Sequence, residues 1–128
     1  MKMEYILTID VGTTSVKCCI FDSKLHQVET ASAEYSLITP SREIVEADPE
    51  LYLEKIYECI KALRFAGADT GKIRYLTATT QGETLIPLDD KNVPASNAVV
   101  WLDSRAQEEA EDLGTHFDSD LYYRTTGL

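Results

Sequence analysis

The segment Asp10-Val11-Gly12-Thr13-Thr14-Ser15-Val16-Lys17 combines a carboxylate with a glycine turn and a run of small hydroxyl residues. A turn of this composition exposes consecutive backbone N–H groups and hydroxyl donors, which suits a phosphate group. A carboxylate beside it can hold hydrated Mg²⁺, because this ion favours one or two carboxylates together with waters and phosphate oxygens. The same residues also fit a plain hairpin in which Gly12 supplies a positive φ and Asp10 bonds the turn backbone.

A second candidate site lies in the segment Thr80-Gln81-Gly82-Glu83-Thr84. A glutamate next to a glycine in a loop can accept hydrogen bonds from two hydroxyl groups of a polyol. Each charge-assisted hydrogen bond of this kind contributes about 1.5–3 kcal/mol. The alternative is that Glu83 is a solvated turn residue without a ligand.

The third candidate segment is Trp101-Leu102-Asp103-Ser104-Arg105, which contains the only tryptophan of the chain. Trp101 ends an apolar run, where an aromatic residue by default packs in the core. Asp103 is predicted to be the N-cap of a helix. Arg105 then lies in the first turn of that helix, where the helix dipole disfavours a cation, so a specific anionic partner is expected. Either an internal carboxylate or a ligand fits that role.

The elements that position these segments begin with a predicted antiparallel meander of three strands. Residues 4–10 and 15–22 are β-rich runs separated by the glycine turn, and a third run covers residues 28–35. Alternation along the first run delivers Asp10 at the end of the strand, on the face opposite to Ile9.

A helix follows the meander, and its start and end are marked in the sequence. Asp48 is the predicted N-cap, Pro49 occupies the first helical position, and Gly67 is the stop signal. Apolar residues at helical spacing form one predicted stripe, consisting of Leu53, Ile56, Tyr57, Ile60 and Leu63.

The remaining elements are shorter. A fourth strand is predicted at residues 73–79, and two short strands at 85–88 and 98–102, the first of them an edge strand because it contains a proline. A second helix is predicted after Asp103 and another short helix within residues 117–128.

Composition limits the classes of partner. The chain has 128 residues, 44% of them hydrophobic and 27% charged, and a net charge of −10. Such values are typical of one globular domain, and the acidic balance argues against nucleic-acid or membrane binding. Three cysteines without metal-binding spacing and the absence of a long apolar run predict a cytoplasmic protein with reduced thiols.

In order along the chain, these segments resemble the FGGY family of carbohydrate kinases. The resemblance covers essentially the whole chain, so residues 1–128 are interpreted as a partial amino-terminal domain of that family. The matching segments are Ile9 to Lys17 with Phe21-Asp22, Val45-Glu46-Ala47-Asp48-Pro49-Glu50, Gln81-Gly82-Glu83, Leu88-Asp89, Ala98 to Arg105, and Thr126-Gly127.

The resemblance implies an α/β, ribonuclease H-like fold of the actin-like ATPase superfamily, with a mixed sheet and flanking helices. It also implies phosphorylation of a sugar or polyol hydroxyl, with ATP and Mg²⁺ as cofactors. The implied ATP-phosphate site consists of Asp10, Gly12, Thr13, Thr14, Ser15 and Lys17, with Asp10 also facing the metal. The implied sugar site consists of Gly82, Glu83, Trp101, Asp103 and Arg105.

The resemblance also shows what this chain lacks. Family members are several times longer, and their catalytic aspartate lies downstream of the matching region, so the chain is expected to be inactive alone. In the glycerol-specific branch an arginine precedes the matching glutamate, and Gly82 at this position argues against glycerol. An unfinished sheet with exposed apolar surface predicts self-association.

Two other classes of function remain open at this stage. An actin-like or chaperone-like ATPase would share the phosphate turn but would not need the segments around Glu83 and Trp101. A non-catalytic binding module would share the fold and carry no reaction.

Overall fold

The computed structural model of the chain describes residues 4–127, so residues 1–3 and Leu128 of the predicted domain 1–128 lie outside the described part. The elements of this part are β1 (Tyr5–Val11), β2 (Ser15–Asp22), β3 (Gln27–Glu34), β4 (Glu46–Ala47), α1 (Pro49–Phe65), a 3₁₀ turn (Thr70–Lys72), β5 (Ile73–Thr80), β6 (Ala98–Val99), α2 (Gln107–His116) and α3 (Ser119–Thr126).

A four-stranded mixed sheet forms the centre of the fold, with strand order β3-β2-β1-β5. The first three strands are the predicted antiparallel meander, and β5 adds to the outer side of β1 in parallel. A parallel neighbour requires a crossover, and α1 lies in the connection from β3 to β5. The predicted mixed sheet is therefore confirmed.

The core lies between this sheet and α1. It contains buried residues from β1, β2 and α1, together with the residues that end the meander, namely Tyr5, Leu7, Ile9, Val11, Val16, Cys18, Ile20, Ala33, Tyr35, Cys59 and Leu63. Alternation along β1 buries Ile9 and leaves Asp10 exposed on the other face, as predicted. The three cysteines are buried and form no disulfide.

The boundaries of α1 follow from its capping residues. Asp48 Oδ1 accepts a hydrogen bond from the Glu50 N–H at 3.0 Å, and Pro49 is the first helical residue. The helix ends at Phe65, and Gly67 then adopts a φ of +95°, a conformation that glycine takes without steric penalty. Both predicted signals are confirmed.

The predicted apolar stripe of α1 is wrong at two positions. Cys59 and Leu63 are buried, whereas Leu53 is 56% exposed and Tyr57 is 60% exposed. The helix packs mainly on β2 and β3, and Tyr52 contributes to its buried face where Leu53 was expected to.

The segment between β5 and α2 contains less strand than predicted. Residues 85–88 form no strand, and Leu85 and Leu88 make only isolated bridges, to Val99 and Pro94. Pro87 lies between them and has no N–H to continue a ladder. The strand predicted at 98–102 is reduced to β6, which pairs with β4.

The prediction that Asp103 caps a helix is wrong. The second helix, α2, begins four residues later at Gln107, and its N-cap residue Ala106 makes no side-chain hydrogen bond to the helix. The predicted carboxyl-terminal helix is present as α3. No helix within residues 4–127 is long and apolar enough to cross a membrane.

Candidate active site

The candidate site lies where β1 and β5 end. These two strands are parallel neighbours, and their carboxyl ends therefore lie at the same edge of the sheet, the usual position of ligand sites in open α/β sheets. An open cavity of about 450 Å³ is found there. Its lining residues are Asp10, Gly12, Thr13, Thr80, Gln81, Gly82, Glu83 and Trp101.

The turn between β1 and β2, residues 12–15, forms one wall of this cavity. The Gly12 N–H donates to the Ser15 carbonyl at 2.9 Å, which closes the turn. A Cβ atom at Gly12 would lie 3.2 Å from that same oxygen, so a side chain would push the turn open. The Gly12 carbonyl accepts a hydrogen bond from the Tyr35 hydroxyl.

The loop after β5 forms the opposite wall. The Gln81 N–H donates to the Val11 carbonyl at 2.8 Å, so the loop begins bonded to the end of β1. Glu83 is exposed and has a φ of +62°. A non-glycine residue in this left-handed conformation costs on the order of 1 kcal/mol, and such conformations concentrate at functional sites.

Trp101 connects the two walls. Its indole Nε1–H donates to Thr13 Oγ1 at 3.0 Å, and its backbone N–H lies 3.4 Å from Thr84 Oγ1. The side chain is 50% exposed, so it is not the core residue that its apolar flank indicated. Its indole lines the cavity while its Nε1–H is bonded to the turn.

Asp103 and Arg105 lie outside the cavity lining and bond to each other. Arg105 Nη2 lies 2.6 Å from Asp103 Oδ2 and 2.7 Å from Glu46 Oε1. Asp103 Oδ2 also accepts from the Val45 N–H at 2.7 Å, and its side chain is only 2% exposed. The anionic partners expected for Arg105 are therefore internal carboxylates.

These contacts determine the ionisation of the cluster. The hydrogen bond from Arg105, followed by the Val45 N–H, holds the pKa of Asp103 well below its ordinary value. Hydrogen bonds from Asn97 and then Arg105 lower the pKa of Glu46. Both carboxylates are therefore charged at neutral pH, and they fix Arg105 in place.

The structure brings together six of the eleven predicted site residues, namely Asp10, Gly12, Thr13, Gly82, Glu83 and Trp101. Thr14 and Ser15 belong to the turn without lining the cavity, and Lys17 is the cross-strand partner of Asp10. Thr80 and Gln81 also line the cavity; the sequence placed them in the second candidate segment, but only Gly82 and Glu83 of that segment were assigned to the sugar site. The structure places them there because Thr80 pairs with Val11 at the end of β1 and the Gln81 N–H donates to the Val11 carbonyl.

The donor set around the cavity suits a phosphate-bound Mg²⁺ better than a metal held by protein alone. Among residues 4–127 there is no group of three or more His, Cys, Asp or Glu side chains that could hold a metal ion. Asp10 supplies one exposed carboxylate at the wall of the cavity, next to the turn. Mg²⁺ typically takes one or two carboxylates and completes its shell with water and phosphate oxygens.

Comparisons with known proteins agree with this architecture. A glycerol kinase of Saccharopolyspora erythraea is 35% identical over 127 residues, which are 98% of this chain and 25% of that protein. A xylulose kinase of Lactococcus lactis is 30% identical over 112 residues, 87% of this chain and 22% of that protein. The chain thus spans about a quarter of the length of these curated relatives.

Solved structures show the same fold. The crystal structure of gluconate kinase from Lactobacillus acidophilus superposes with a TM-score of 0.89 at 29% identity, covering 98% of this chain and 25% of that one. The mixed sheet with flanking helices is accordingly part of a ribonuclease H-like domain. Residues 5–128 match the description "FGGY family of carbohydrate kinases, N-terminal domain", and the chain belongs to this family.

Proposed function

We propose that a full-length protein containing this chain transfers the γ-phosphoryl group of ATP to a hydroxyl of a sugar or polyol. The observation that carries this proposal is that Asp10, Thr13 and Glu83 line one cavity, although Glu83 is far from the other two in sequence. A kinase needs donor and acceptor sites in contact, because positioning supplies most of the catalysis in phosphoryl transfer.

On the donor side, we assign the phosphates to the turn at residues 12–15. Gly12 allows the close approach of backbone to phosphate, and Thr13 and Thr14 offer N–H and hydroxyl donors. Asp10 would hold Mg²⁺ through its exposed carboxylate, and the ion would neutralise charge on the phosphates. Lys17, paired across the hairpin with Asp10, adds a cation next to the site.

On the acceptor side, we assign the hydroxyl groups to Glu83 and the apolar face of the sugar to Trp101. The carboxylate of Glu83 can accept charge-assisted hydrogen bonds from two hydroxyl groups of a polyol. A Cβ atom at Gly82 would meet no atom within 4 Å, so there is open space beside Glu83. The glycine at this position, where the glycerol-specific branch has an arginine, favours a ketose, a longer polyol or a sugar acid over glycerol.

Asp103 and Arg105 have a supporting role in this proposal. Their ion pair and the bond from Asp103 to the Val45 N–H fasten the segment that carries Trp101 to the edge of β4. The proposal therefore replaces direct sugar binding by these two residues with positioning of Trp101.

We propose that the chain of 128 residues is inactive by itself. The full-length protein is proposed to be cytoplasmic. The family resemblance implies that the aspartate that removes the proton of the acceptor hydroxyl, and a second domain that closes over the nucleotide, lie beyond the matching region. The buried, unpaired cysteines are compatible with a reducing compartment.

A substrate panel with two variants of the full-length protein tests the proposal. We expect ATP-dependent phosphorylation of at least one ketose, polyol or sugar acid in the presence of Mg²⁺. Glu83→Ala should raise KM for that acceptor at least tenfold, since it removes charge-assisted hydrogen bonds worth about 1.5–3 kcal/mol each. The KM for ATP should stay nearly unchanged.

Asp10→Asn is the complementary variant, because it alters the opposite wall of the same cavity. It should reduce kcat at least a hundredfold with Mg²⁺ present and leave acceptor affinity intact. An equal loss of both affinities in Glu83→Ala, or an unchanged rate in Asp10→Asn, would contradict the assignment. ATP hydrolysis that no acceptor stimulates would favour an actin-like ATPase instead.

A further inference from the structure

Tyr35 is at the end of the meander and contacts the turn at residues 12–15. It follows β3, its side chain is 8% exposed, and its backbone N–H donates to the Thr14 carbonyl at 2.9 Å. Its hydroxyl donates to the Gly12 carbonyl. The turn is thus bonded to one buried tyrosine through two of its carbonyl groups.

The bond to Gly12 determines the direction of the next N–H group. In a planar trans peptide the carbonyl and the N–H point to opposite sides, and no described peptide bond is cis. Because the Gly12 carbonyl is bonded to Tyr35, the Thr13 N–H points to the opposite side of this peptide, away from Tyr35, and both Gly12 and Thr13 line the cavity. Within residues 4–127, neither the Thr13 nor the Thr14 N–H has an acceptor.

A second tyrosine extends this support to the opposite wall. The ring of Tyr52 on α1 meets the ring of Tyr35 edge-on, with centroids 5.5 Å apart and an interplanar angle of 88°. The Tyr52 hydroxyl accepts from Gln81 Nε2 at 3.2 Å, and Gln81 belongs to the loop that carries Glu83. The two tyrosines, which are in contact with each other, therefore bond to both walls of the cavity: Tyr35 to the turn and Tyr52 to Gln81.

We propose that Tyr35 is a positioning residue for phosphate binding, whose hydroxyl orients the Gly12–Thr13 peptide so that the Thr13 N–H faces the nucleotide. This inference rests on the proposed function for the identity of the ligand. It makes Tyr35 part of the machinery through Gly12, without contact to the phosphates.

The ionisation of Tyr35 is compatible with a permanent donor. Burial, and secondarily the neighbouring Tyr52, raise the pKa of Tyr35 to about 12. The hydroxyl therefore keeps its proton, and the Gly12 carbonyl keeps its partner, at any physiological pH.

Backbone NMR relaxation on the chain of 128 residues tests the orientation without any ligand. Tyr35→Phe keeps the ring and its contact with Tyr52 and removes only the hydroxyl. The ¹⁵N order parameters of Thr13 and Thr14 should fall from about 0.85 to below about 0.6. Tyr57→Phe is the matched control, because Tyr57 is 60% exposed on the outer side of α1, and it should change neither value.

A ring-size series separates positioning from ordinary packing. If the hydroxyl orients the turn, Tyr35→Phe already gives the full change at Thr13, and Tyr35→Leu adds only a loss of Tm. If Tyr35 merely fills the core, the change at Thr13 appears with Tyr35→Leu and not with Tyr35→Phe. That second pattern, or unchanged order parameters in both variants, would overturn the proposal.

Kinetics of the full-length protein give the functional readout. Tyr35→Phe should raise KM for ATP about tenfold, the factor expected from losing one buried hydrogen bond, and leave KM for the acceptor unchanged. An equal rise in both KM values would overturn the assignment to the phosphate side. A wild-type protein without phosphoryl transfer would contradict the proposed function, whereas the relaxation data would still decide the role of Tyr35.

Discussion

Two regions of the molecule differ in the burial of their apolar side chains: the sheet with α1, and the pair α2–α3. In the first region, side chains such as Ile20 and Leu63 are almost completely buried. In α2 and α3 no residue is buried, and Leu113, Phe117 and Tyr123 are each more than half exposed. The helix α1 packs on β2 and β3, whereas α2 is rich in acidic residues and has Leu113 as its one large apolar side chain.

This difference places the candidate site on the well-packed region. The turn at residues 12–15 follows β1 and the loop at 81–83 follows β5, two strands of the central sheet. The indole of Trp101 donates a hydrogen bond to Thr13 in the turn. The cavity is therefore defined without α2 and α3. A rigid base under a binding site reduces the entropy lost when a ligand binds.

The largest expected difference is in the free energy of unfolding when one leucine from each region is replaced by alanine. Leu63→Ala should lower the free energy of unfolding by about 2–5 kcal/mol, because it leaves a cavity in a packed core. Leu113→Ala removes the same atoms from a side chain that is 54% exposed and should change it by less than about 0.5 kcal/mol. Urea unfolding followed by circular dichroism measures both.

The difference between the two regions would be contradicted if the two substitutions lowered the free energy of unfolding by the same amount. In that case α2 would be packed in solution to the same degree as α1. A lower m-value for Leu63→Ala would instead indicate a change in the unfolded state, and the midpoint would then not be a measure of packing alone.

A smaller effect is expected at the helix caps, which are alike in the two regions. Asp48 Oδ1 accepts from one N–H of α1, and Asp118 Oδ1 accepts from the Asp120 and Leu121 N–H groups of α3. Asp48→Ala should destabilise the fold by about 1 kcal/mol, because α1 unfolds only with the core. Asp118→Ala should reduce the helicity of α3 alone.

Backbone chemical shifts and unfolding midpoints together measure these two outcomes. For Asp118→Ala we expect helical shifts to diminish in α3 while the urea midpoint stays the same. A lowered midpoint would show that α3 and the core unfold together, and the division into two regions would then be wrong.

The well-packed region is also the one that the sequence predicts best. The β1–β2 hairpin and the start of α1 depend on local signals, namely alternation, a glycine turn and the Asp48-Pro49 cap, and these signals act over a few residues. Their outcome is therefore visible in a single sequence. The predicted stripe on α1 was wrong at Leu53 because the width of a buried face depends on what covers it.

The segment from residue 85 to residue 106 was predicted poorly because distant contacts hold it. Asp103 was interpreted as a helix cap, but its carboxylate bonds to the N–H of Val45, 58 residues away. The apolar flank of Trp101 favours a core position and only the family resemblance assigns it to the site; its indole bonds to Thr13, 88 residues away. Periodicity and capping rules contain no information about such partners.

The candidate site shows the same division. The family resemblance indicated Asp10 and Glu83, and the parallel pairing of β1 with β5 explains why they face one cavity. The supporting residue Tyr35 has no local signature, since an aromatic residue after a strand is most often simply core. Only the contact of its hydroxyl with Gly12 distinguishes it.

The smallest expected effect is weak self-association through the exposed side of α2 and α3. Leu113, Phe117, Tyr122 and Tyr123 line an apolar cavity of about 700 Å³, and a second copy of the chain offers the same surface. A net charge of −10 on each copy opposes this contact. Salt screens that repulsion, so the average mass from light scattering should rise as ionic strength increases.

Phe117→Glu should abolish the rise in mass, since it adds a charge to the apolar surface. Leu53→Glu is the matched control, because Leu53 is similarly exposed at 56% but lies on α1, in the well-packed region. If Leu53→Glu also abolishes the rise, the contact does not belong to α2 and α3. If the mass stays that of one chain at every salt concentration, no second copy covers α2 and α3 in solution. Their apolar side chains would then be exposed to solvent, as they are in the single chain.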